Sequence, residues 1–339
     1  MIERPIYIFG PCSAESREQV LLTARLLQEA CGNVPFIFRA GAWKPRTSPC
    51  TFQGVGAEAL AWLKEVKSTF GIDVATEVAT PEHVAQALQA GIDYLWIGAR
   101  TSANPIAVSA IGSAIEDFQL KGIFIKNPVN ADADLWLGNI ERLEKTGIPV
   151  MAVHRGCGHK PCWAMAHAVR TARPDIPMLL DPSHMSGDAA QVPALMKKIA
   201  ELGLDGAMVE VHYKPEEALS DDKQQLTPIQ IMSVIGPLSV QHRSNIGPTS
   251  GDNEKTELNW MRAEIDELDA QLWDTIAERM DVSRRIGIWK KAHQVSPLQP
   301  ERFQQIVLRA QKLAAKNGLS ETFAQQLVEI IHTESLRQQ

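Results

Sequence analysis

A cysteine, a histidine and an acid each stand where a short apolar run ends. They are Cys12 in Gly10-Pro11-Cys12, His184 in Asp181-Pro182-Ser183-His184 and Glu210 in Val209-Glu210-Val211-His212, and a second acid, Asp221, follows in Ser220-Asp221-Asp222. A thiolate, an imidazole and two carboxylates make a mixed hard and soft donor set for a divalent transition ion such as manganese, iron, cobalt or zinc. An open coordination position on such an ion would polarise a carbonyl. Taken singly, each residue reads as something ordinary, because a lone buried Cys is usually a small hydrophobe and a strand-end His is often only hydrogen-bonded. The set gains meaning if the strand ends meet. Arg39, Lys44, Arg46, Arg100, Lys126 and Arg155 also fall at or just past such ends. Arg offers a planar fork and Lys a point charge to phosphate or carboxylate. Pairing with Glu77, Asp181 and surface acids can account for two or three of these cations, so the remainder point to an anionic occupant. In Lys44-Pro45-Arg46-Thr47-Ser48-Pro49, two prolines stiffen a loop that carries a guanidinium and two hydroxyls suited to a phosphate.

The elements that must position these groups alternate from residue 6 to residue 212. Strands are expected at Ile6–Cys12, Phe36–Gly41, Asp73–Val78, Tyr94–Ala99, Ile123–Pro128, Val150–Arg155, Met178–Asp181 and Ala207–His212. They are continuous apolar runs, as parallel strands covered on both faces require. Helices are expected between them, among others at Arg17–Ala30, Val55–Thr69, Pro81–Gln89, Leu135–Lys145 and Ala190–Leu202, with Thr80 capping the third of these ahead of Pro81. Eight such units predict an α/β fold, a TIM (β/α)8 barrel near the lower size limit. A doubly wound open sheet is the alternative.

The strings GPCS (10–13), RAGAWKPRTSP (39–49), IGAR (97–100), KNP (126–128), HRG (154–156), DPSH (181–184) and VEVH (209–212) resemble 3-deoxy-D-arabino-heptulosonate 7-phosphate (DAHP) synthase of the type I-beta class, over about residues 1–240. The resemblance implies a metal-dependent TIM barrel that condenses phosphoenolpyruvate with erythrose 4-phosphate. It implies Cys12, His184, Glu210 and Asp221 as metal ligands, and Arg39, Arg100, Lys126 and Arg155 as phosphoenolpyruvate contacts with Lys44 near the carboxylate. It assigns Arg46, Thr47 and Ser48 to erythrose 4-phosphate; Glu77 and Asp181 complete the expected binding set, with Lys126 and Lys44 as its catalytic lysines. The related synthesis of 3-deoxy-octulosonate 8-phosphate ranks second, because KPRTSP resembles the erythrose 4-phosphate form. Family members often carry an N-terminal regulatory domain; with the first strand starting at Ile6, none is expected here.

Composition then shifts. Residues 241–256 are polar and rich in Gly, Pro, Ser and Asn, and read as a linker. From Glu257, Leu258, Met261, Ile265, Leu268, Leu272 and Ile276 recur at helical spacing. The helix is expected to run to Ala292, about 36 residues or roughly 54 Å. Two shorter helices, Pro300–Asn317 and Ser320–Leu336, follow in an all-α domain over 257–339. Three helices cannot bury so long a stripe within one chain, so a homodimer or higher assembly through this domain is expected. Arg279 and Lys290 lie within about 20° of one helix face and roughly 16 Å apart, close enough to share one small dianion. Arg262 cannot reach that ligand from the same helix, and an antiparallel partner would have to supply it. The ordinary alternative for each cation is a solvated face.

The strings LNWMRAEIDELDAQLWDTIAERM (258–280), IGIWK (286–290) and PERF (300–303) resemble the all-helical (AroQ-class) chorismate mutases. That resemblance implies Arg262, Arg279, Lys290, Arg302, Glu334 and Gln338 as contacts to chorismate, with Arg279 and Lys290 the catalytic pair. Its rearrangement to prephenate needs electrostatic clamping and no metal, acid or base. Many members carry acids where this chain has Gln299 and Phe303, which puts hydroxyl recognition in question. The expectation is a bifunctional enzyme of the shikimate pathway, with prephenate at the tail inhibiting the barrel. The rival is a tail that dimerises and senses ligand with little catalysis.

The totals set bounds. A net charge of -6 argues against general nucleic-acid binding. No apolar stretch reaches the roughly 18 residues of a membrane helix, and Met1–Pro5 lacks a signal-peptide layout. Five widely spaced cysteines do not suggest a disulfide framework, so the expected location is the cytoplasm.

Overall fold

The computed structural model describes residues 4–45, 48, 50–115, 120–235, 250–296 and 299–339. Arg46, Thr47 and the stretch 241–249 read as linker therefore lie outside the described residues. Eight parallel strands close into a barrel in sequence order. They are β1 (Ile6–Gly10), β2 (Ile37–Arg39), β3 (Val74–Val78), β4 (Tyr94–Ile97), β5 (Gly122–Lys126), β6 (Val150–His154), β7 (Met178–Leu180) and β8 (Gly206–Glu210). Closure comes from β1 pairing with β8 along its length, Ile6 to Gly206 through Gly10 to Glu210. The open-sheet alternative is thus set aside.

Helices α1 (Arg17–Cys31), α2 (Glu58–Phe70), α3 (Pro81–Gln89), α4 (Ala99–Ser102), α5 (Pro105–Ser113), α6 (Ala133–Glu144), α7 (Trp163–Ala172), α8 (Pro182–Ser186) and α9 (Val192–Glu201) fill the intervals, and α10 (228–235) follows β8. Side chains alternate across each strand. Ile6, Ile8, Ile37, Ala75, Trp96, Phe124, Met151, Val153, Leu179 and Met208 form one buried cluster. Tyr7, Phe9, Phe38, Val74, Leu95, Ile123 and Val209 belong to a second one, shared with the helices. This double burial is why the strands read as unbroken apolar runs. Thr80 caps α3 by accepting from the His83 N–H, with Pro81 at the first turn.

All strands but β3 end one or two residues earlier than expected, since pairing stops where the chain turns over the mouth. Two short helices, α4 and α8, begin directly at the ends of β4 and β7. Each is too short to show a periodic pattern.

After the barrel come α11 (Ser250–Ala292), α12 (Pro300–Lys316) and α13 (Glu321–Arg337). Helix α11 is 43 residues long and starts inside the segment expected to be a linker. Residues 250–256 contain no proline, and Glu254 stands near the N-terminal end, where the helix dipole favours negative charge. The chain divides into two compact units, Met1–Glu264 and Ile265–Gln339, with the boundary inside α11.

The first turns of α11 therefore belong to the barrel's unit. Trp260 is 2% exposed. It stacks on His167 of α7 at 5.3 Å and meets Trp163 edge-on at 6.0 Å. His167 Nδ1 lies 2.6 Å from Glu264 and Nε2 3.1 Å from Glu257, while Asn259 Nδ2 donates to the Glu201 carbonyl at 3.0 Å. Burial works against a charge on His167, but Glu264 and Glu257 outweigh it and raise its pKa. Within the second unit, Gly287 of α11 allows the C-terminus close, because a Cβ there would lie 2.7 Å from the Gln339 Cα.

Trp260→Ala is expected to lower the stability of the barrel's unit by about 3–5 kcal/mol, read as an earlier urea midpoint in the full chain. The His167 contribution is fully present below the unfolded imidazole pKa and is lost as pH rises through the raised folded value. A His167→Gln chain should lose that part of the pH dependence; an unchanged midpoint-versus-pH curve would count against the pairing.

Candidate functional site

The C-terminal ends of β1, β7 and β8 and the loop after β8 bring together Cys12, His184, Glu210 and Asp221. Ligand atoms of Cys12, Glu210 and Asp221 lie within 4.8 Å of one another. The Cys12 Sγ–H donates to Asp221 Oδ2 at 2.9 Å. His184 borders this trio, its Nε2 standing 3.6 Å from Glu210 Oε1. Asp181 sets that imidazole. It caps α8 by accepting from the His184 N–H at 3.0 Å, and its Oδ2 lies 2.9 Å from His184 Nδ1. Burial lowers the His184 pKa against the pull of Asp181 and Glu210, so the ring is neutral. A carboxylate only accepts, so Nδ1 carries the proton and Nε2 presents a lone pair toward Glu210.

The cations answer this negative charge. Arg39, 1% exposed, donates from one Nη to Glu210 Oε1 at 3.1 Å and lies over the Trp96 ring at 4.6 Å. Its Nε and other Nη are buried without a hydrogen-bond partner among the described residues. Lys126 Nζ lies 2.7 Å from Asp181 Oδ2. Lys44 Nζ is 3.0 Å from Cys12 Sγ and 4.0 Å from Glu77. Glu77 in turn lies against backbone, since a Cβ on Gly98 would meet its Oε1 at 2.0 Å; only glycine leaves that room.

Titration follows from these neighbours. Burial raises the Cys12 thiol, and Glu210 adds to it. For Asp181, burial would raise the carboxyl, but His184 and Lys126 outweigh it and hold it well below the usual range. Glu210 is likewise lowered, with His184 and Arg39 overcoming burial. Lys126 is lowered by burial despite Asp181. Burial also opposes the Lys44 charge, yet the acidic groups around it, Cys12 and Glu77 first, push it up to about 12.

Other expected residues are placed differently. Arg155 follows β6, half-buried, and its backbone N–H donates to Asn127 Oδ1 at 2.7 Å. Arg100 is exposed on α4. Ser48 is exposed, and its carbonyl accepts from Thr51 at 2.8 Å. Several contributors had no signal in the sequence. Gln224 donates to Glu210 Oε2 at 2.7 Å, Gln225 accepts from the Cys12 N–H at 3.1 Å, and Ser183 accepts from the Glu210 N–H at 3.0 Å. Asn127 and Ser183 alone stood in motifs already singled out.

In the second unit, Arg279 donates to Ser335, and Lys290 Nζ donates to Gln339 Oε1 at 3.4 Å. His332 lies near both: burial lowers its pKa first, and the Arg279 and Lys290 charges lower it further. Phe303 packs on the His332 ring at 4.4 Å. The remaining expected contacts stand elsewhere in this chain. Gln338 accepts from Arg284 at 2.7 Å, Glu334 pairs with Arg337 at 2.9 Å, and Arg302 is exposed and bonds Gln305 at 3.3 Å. Arg262, in the first unit, is exposed on α11.

Comparisons with known proteins fit this arrangement. Residues 3–242 match the sequence model of the DAHP synthetase I family and residues 261–339 that of chorismate mutase type II. Phospho-2-dehydro-3-deoxyheptonate aldolase of Thermotoga maritima is 34% identical over 232 residues, 65% of this chain and 64% of that protein. This chain thus spans less than two thirds of that relative's length. The crystal structure of the DAHP synthase from the same organism superposes with a TM-score of 0.62 at 29% identity, over 71% of this chain and 70% of that one. In the tail, 4-amino-4-deoxychorismate mutase of Streptomyces venezuelae is 42% identical over 84 residues, 25% of this chain and 82% of that protein.

Asp181→Asn is expected to cost about 3–5 kcal/mol, because it leaves the Lys126 ammonium buried and unpaired. Thermal unfolding of the full chain at neutral pH measures it. Asp181 has a depressed pKa, so its contribution is present above the unfolded carboxyl pKa and fades as pH falls through the folded value; the gap between the two proteins should narrow in acid.

Proposed function

The chain belongs to the DAHP synthetase I family, and from that premise we propose that its barrel condenses phosphoenolpyruvate with erythrose 4-phosphate to DAHP and phosphate. The observation that carries this reading is the pairing of two features at one mouth. One is a donor set in which Cys12, Glu210 and Asp221 lie within 4.8 Å of one another and the His184 Nε2 stands 3.6 Å from a Glu210 oxygen. The other is Arg39, with two buried donors awaiting an anion.

The donor set fits a divalent transition ion, and the softness of the thiol favours manganese, iron, cobalt or zinc over magnesium. When bound, the ion supplies Lewis acidity toward the erythrose 4-phosphate aldehyde. The chain's own groups do the rest. Arg39, Lys126 and Arg155 hold the anionic ends of phosphoenolpyruvate, with Arg100 of α4 as a further contact and Lys44 at the carboxylate. Arg46, Thr47 and Ser48 take the phosphate of the aldose. Glu77 and Asp181 hold Lys44 and Lys126 in register. Phosphoenolpyruvate C3 bonds to the aldehyde carbon, water adds at C2, and the C2–O bond to phosphate breaks. Burial lowers the Lys126 pKa, so its Nζ can release a proton more readily than a solvated lysine. Orientation of two anions by fixed cations accounts for much of the rate.

The tail is proposed to convert chorismate to prephenate, with Arg279 and Lys290 as the electrostatic clamp and Arg302, Glu334 and Gln338 as further contacts. Ile265, Leu268, Leu272 and Trp273 are exposed on α11. A second copy covering them would form a homodimer and bring Arg262 to the partner's clamp. Prephenate held there is proposed to inhibit the barrel. A second reading, favoured by the 42% identity to a 4-amino-4-deoxychorismate mutase and by Phe303 against His332, is that the amino analogue is the better substrate.

Assays on the full chain separate these possibilities. Chelation should abolish phosphoenolpyruvate consumption with erythrose 4-phosphate, and re-added divalent metal should restore it; consumption with arabinose 5-phosphate alone would instead favour the octulosonate reaction. Arg39→Ala and Lys290→Ala should each lower their own activity by about 10²–10³-fold and spare the other. Unchanged prephenate formation in Lys290→Ala would remove the clamp, and saturating prephenate without effect on the synthase rate would remove the feedback.

A further inference from the structure

Two adjacent glutamines grip opposite sides of the metal donor set. Gln224 and Gln225 are 6% and 2% exposed, in a polar stretch that otherwise faces solvent in part. Gln224 Nε2 donates to Glu210 Oε2 at 2.7 Å, leaving Oε1 as the oxygen that faces His184 and Arg39. Gln225 Oε1 accepts from the Cys12 backbone N–H at 3.1 Å, and its Nε2 donates to the Ser220 carbonyl at 2.8 Å. Between these anchors Asp221 adopts a left-handed conformation, φ 52° and ψ 40°. A non-glycine residue in that conformation is strained and persists only where its surroundings impose it. The surroundings do so. Leu226 N–H donates to the Glu210 carbonyl and His212 N–H to the Leu226 carbonyl, both at 2.9 Å. On the other flank the Leu219 N–H donates to Glu15 Oε1 at 2.9 Å, and the Ser13 and Ser220 hydroxyls meet at 2.5 Å. The loop is thus stitched to the extensions of both β1 and β8, the strands that end in Cys12 and Glu210.

We propose that Gln224 and Gln225 are positioning residues for the divalent ion: Gln224 fixes which Glu210 oxygen is presented, and Gln225 locks the Asp221 loop to the Cys12 main chain so that thiol and carboxylate share one point. This rests on the metal reading above. Outer partners of this kind set the orientation of metal ligands, and their loss weakens metal affinity by about 10–100-fold.

The test uses the metal-stripped full chain titrated with cobalt(II), followed calorimetrically and by visible absorption, where a Co–thiolate band reports on Cys12. Gln224→Met and Gln225→Met should each weaken cobalt affinity by about 10–100-fold. Gln225→Met should also shift the thiolate band, and Gln225→Glu, which keeps the acceptor toward Cys12, should recover part of it. Parent-like affinity and spectrum in both Met variants would overturn the inference. Should Gln225→Met fail to fold, Gln224→Met decides alone, since it removes only a side-chain bond. Cys12→Ser serves as the separate control: if the parent gives no band that Cys12→Ser abolishes, the metal reading itself fails, whatever the glutamines do.

Discussion

Gathering lone pairs and negative charge inside a protein is costly unless opposite charge lies within hydrogen-bond range. Everything at the barrel mouth follows from that constraint. Lys126, Asp181, His184, Glu210 and Arg39 form a chain in which each member touches one of complementary character, at 2.7, 2.9, 3.6 and 3.1 Å in turn. The longest of these contacts is the one between His184 and Glu210. Asp181 is the pivot, because it neutralises Lys126, orients the His184 ring and caps α8. Such a network contributes little net stability compared with apolar packing. What it provides is a fixed electrostatic frame that need not reorganise as charge moves during reaction.

A closed parallel barrel suits this frame. The five residues come from β2, β5, β8 and the turn from β7 into α8, and no local stretch could hold them together. Ring closure brings β8 beside β1, so Cys12 and Glu210 become neighbours although they lie at opposite ends of the barrel sequence. Beneath them Trp96 and Phe124 fill the interior, which gives the Arg39 guanidinium an aromatic floor. The site is thus built on a packed core, and its cations are aimed by strands and not by mobile chain.

Legibility in the sequence tracked the range of each interaction. Strand order, the Thr80 cap and the strand-end ligands Cys12 and Glu210 are visible because period, cap chemistry and turn position are local properties. Strand ends were read too long, since loss of pairing depends on the neighbouring strand. The start of α11 inside a polar segment was hidden for a related reason: Trp260 and the two acids beside it are stabilised by α7, about 90 residues away in the chain. Gln224 and Gln225 were invisible because an amide carries no periodic or charge signature, and only the fold reveals which main-chain groups it satisfies. Arg100 stands after β4 as read, on the short helix α4, where it is exposed.

The two halves solve opposite electrostatic problems. At the barrel mouth the excess is of donors of electron pairs, and the protein surrounds them with Arg39, Lys44 and Lys126. In the helical unit the excess is positive: Arg279 and Lys290 both press on His332, and burial with their charges keeps that imidazole uncharged. A neutral ring there avoids a third cation and still offers a flat surface, which Phe303 covers on one side. Arg279 donates to Ser335 and Lys290 to Gln339. Under the proposed function a dianion would suit these two cations as a divalent cation would suit the donor set at the barrel mouth.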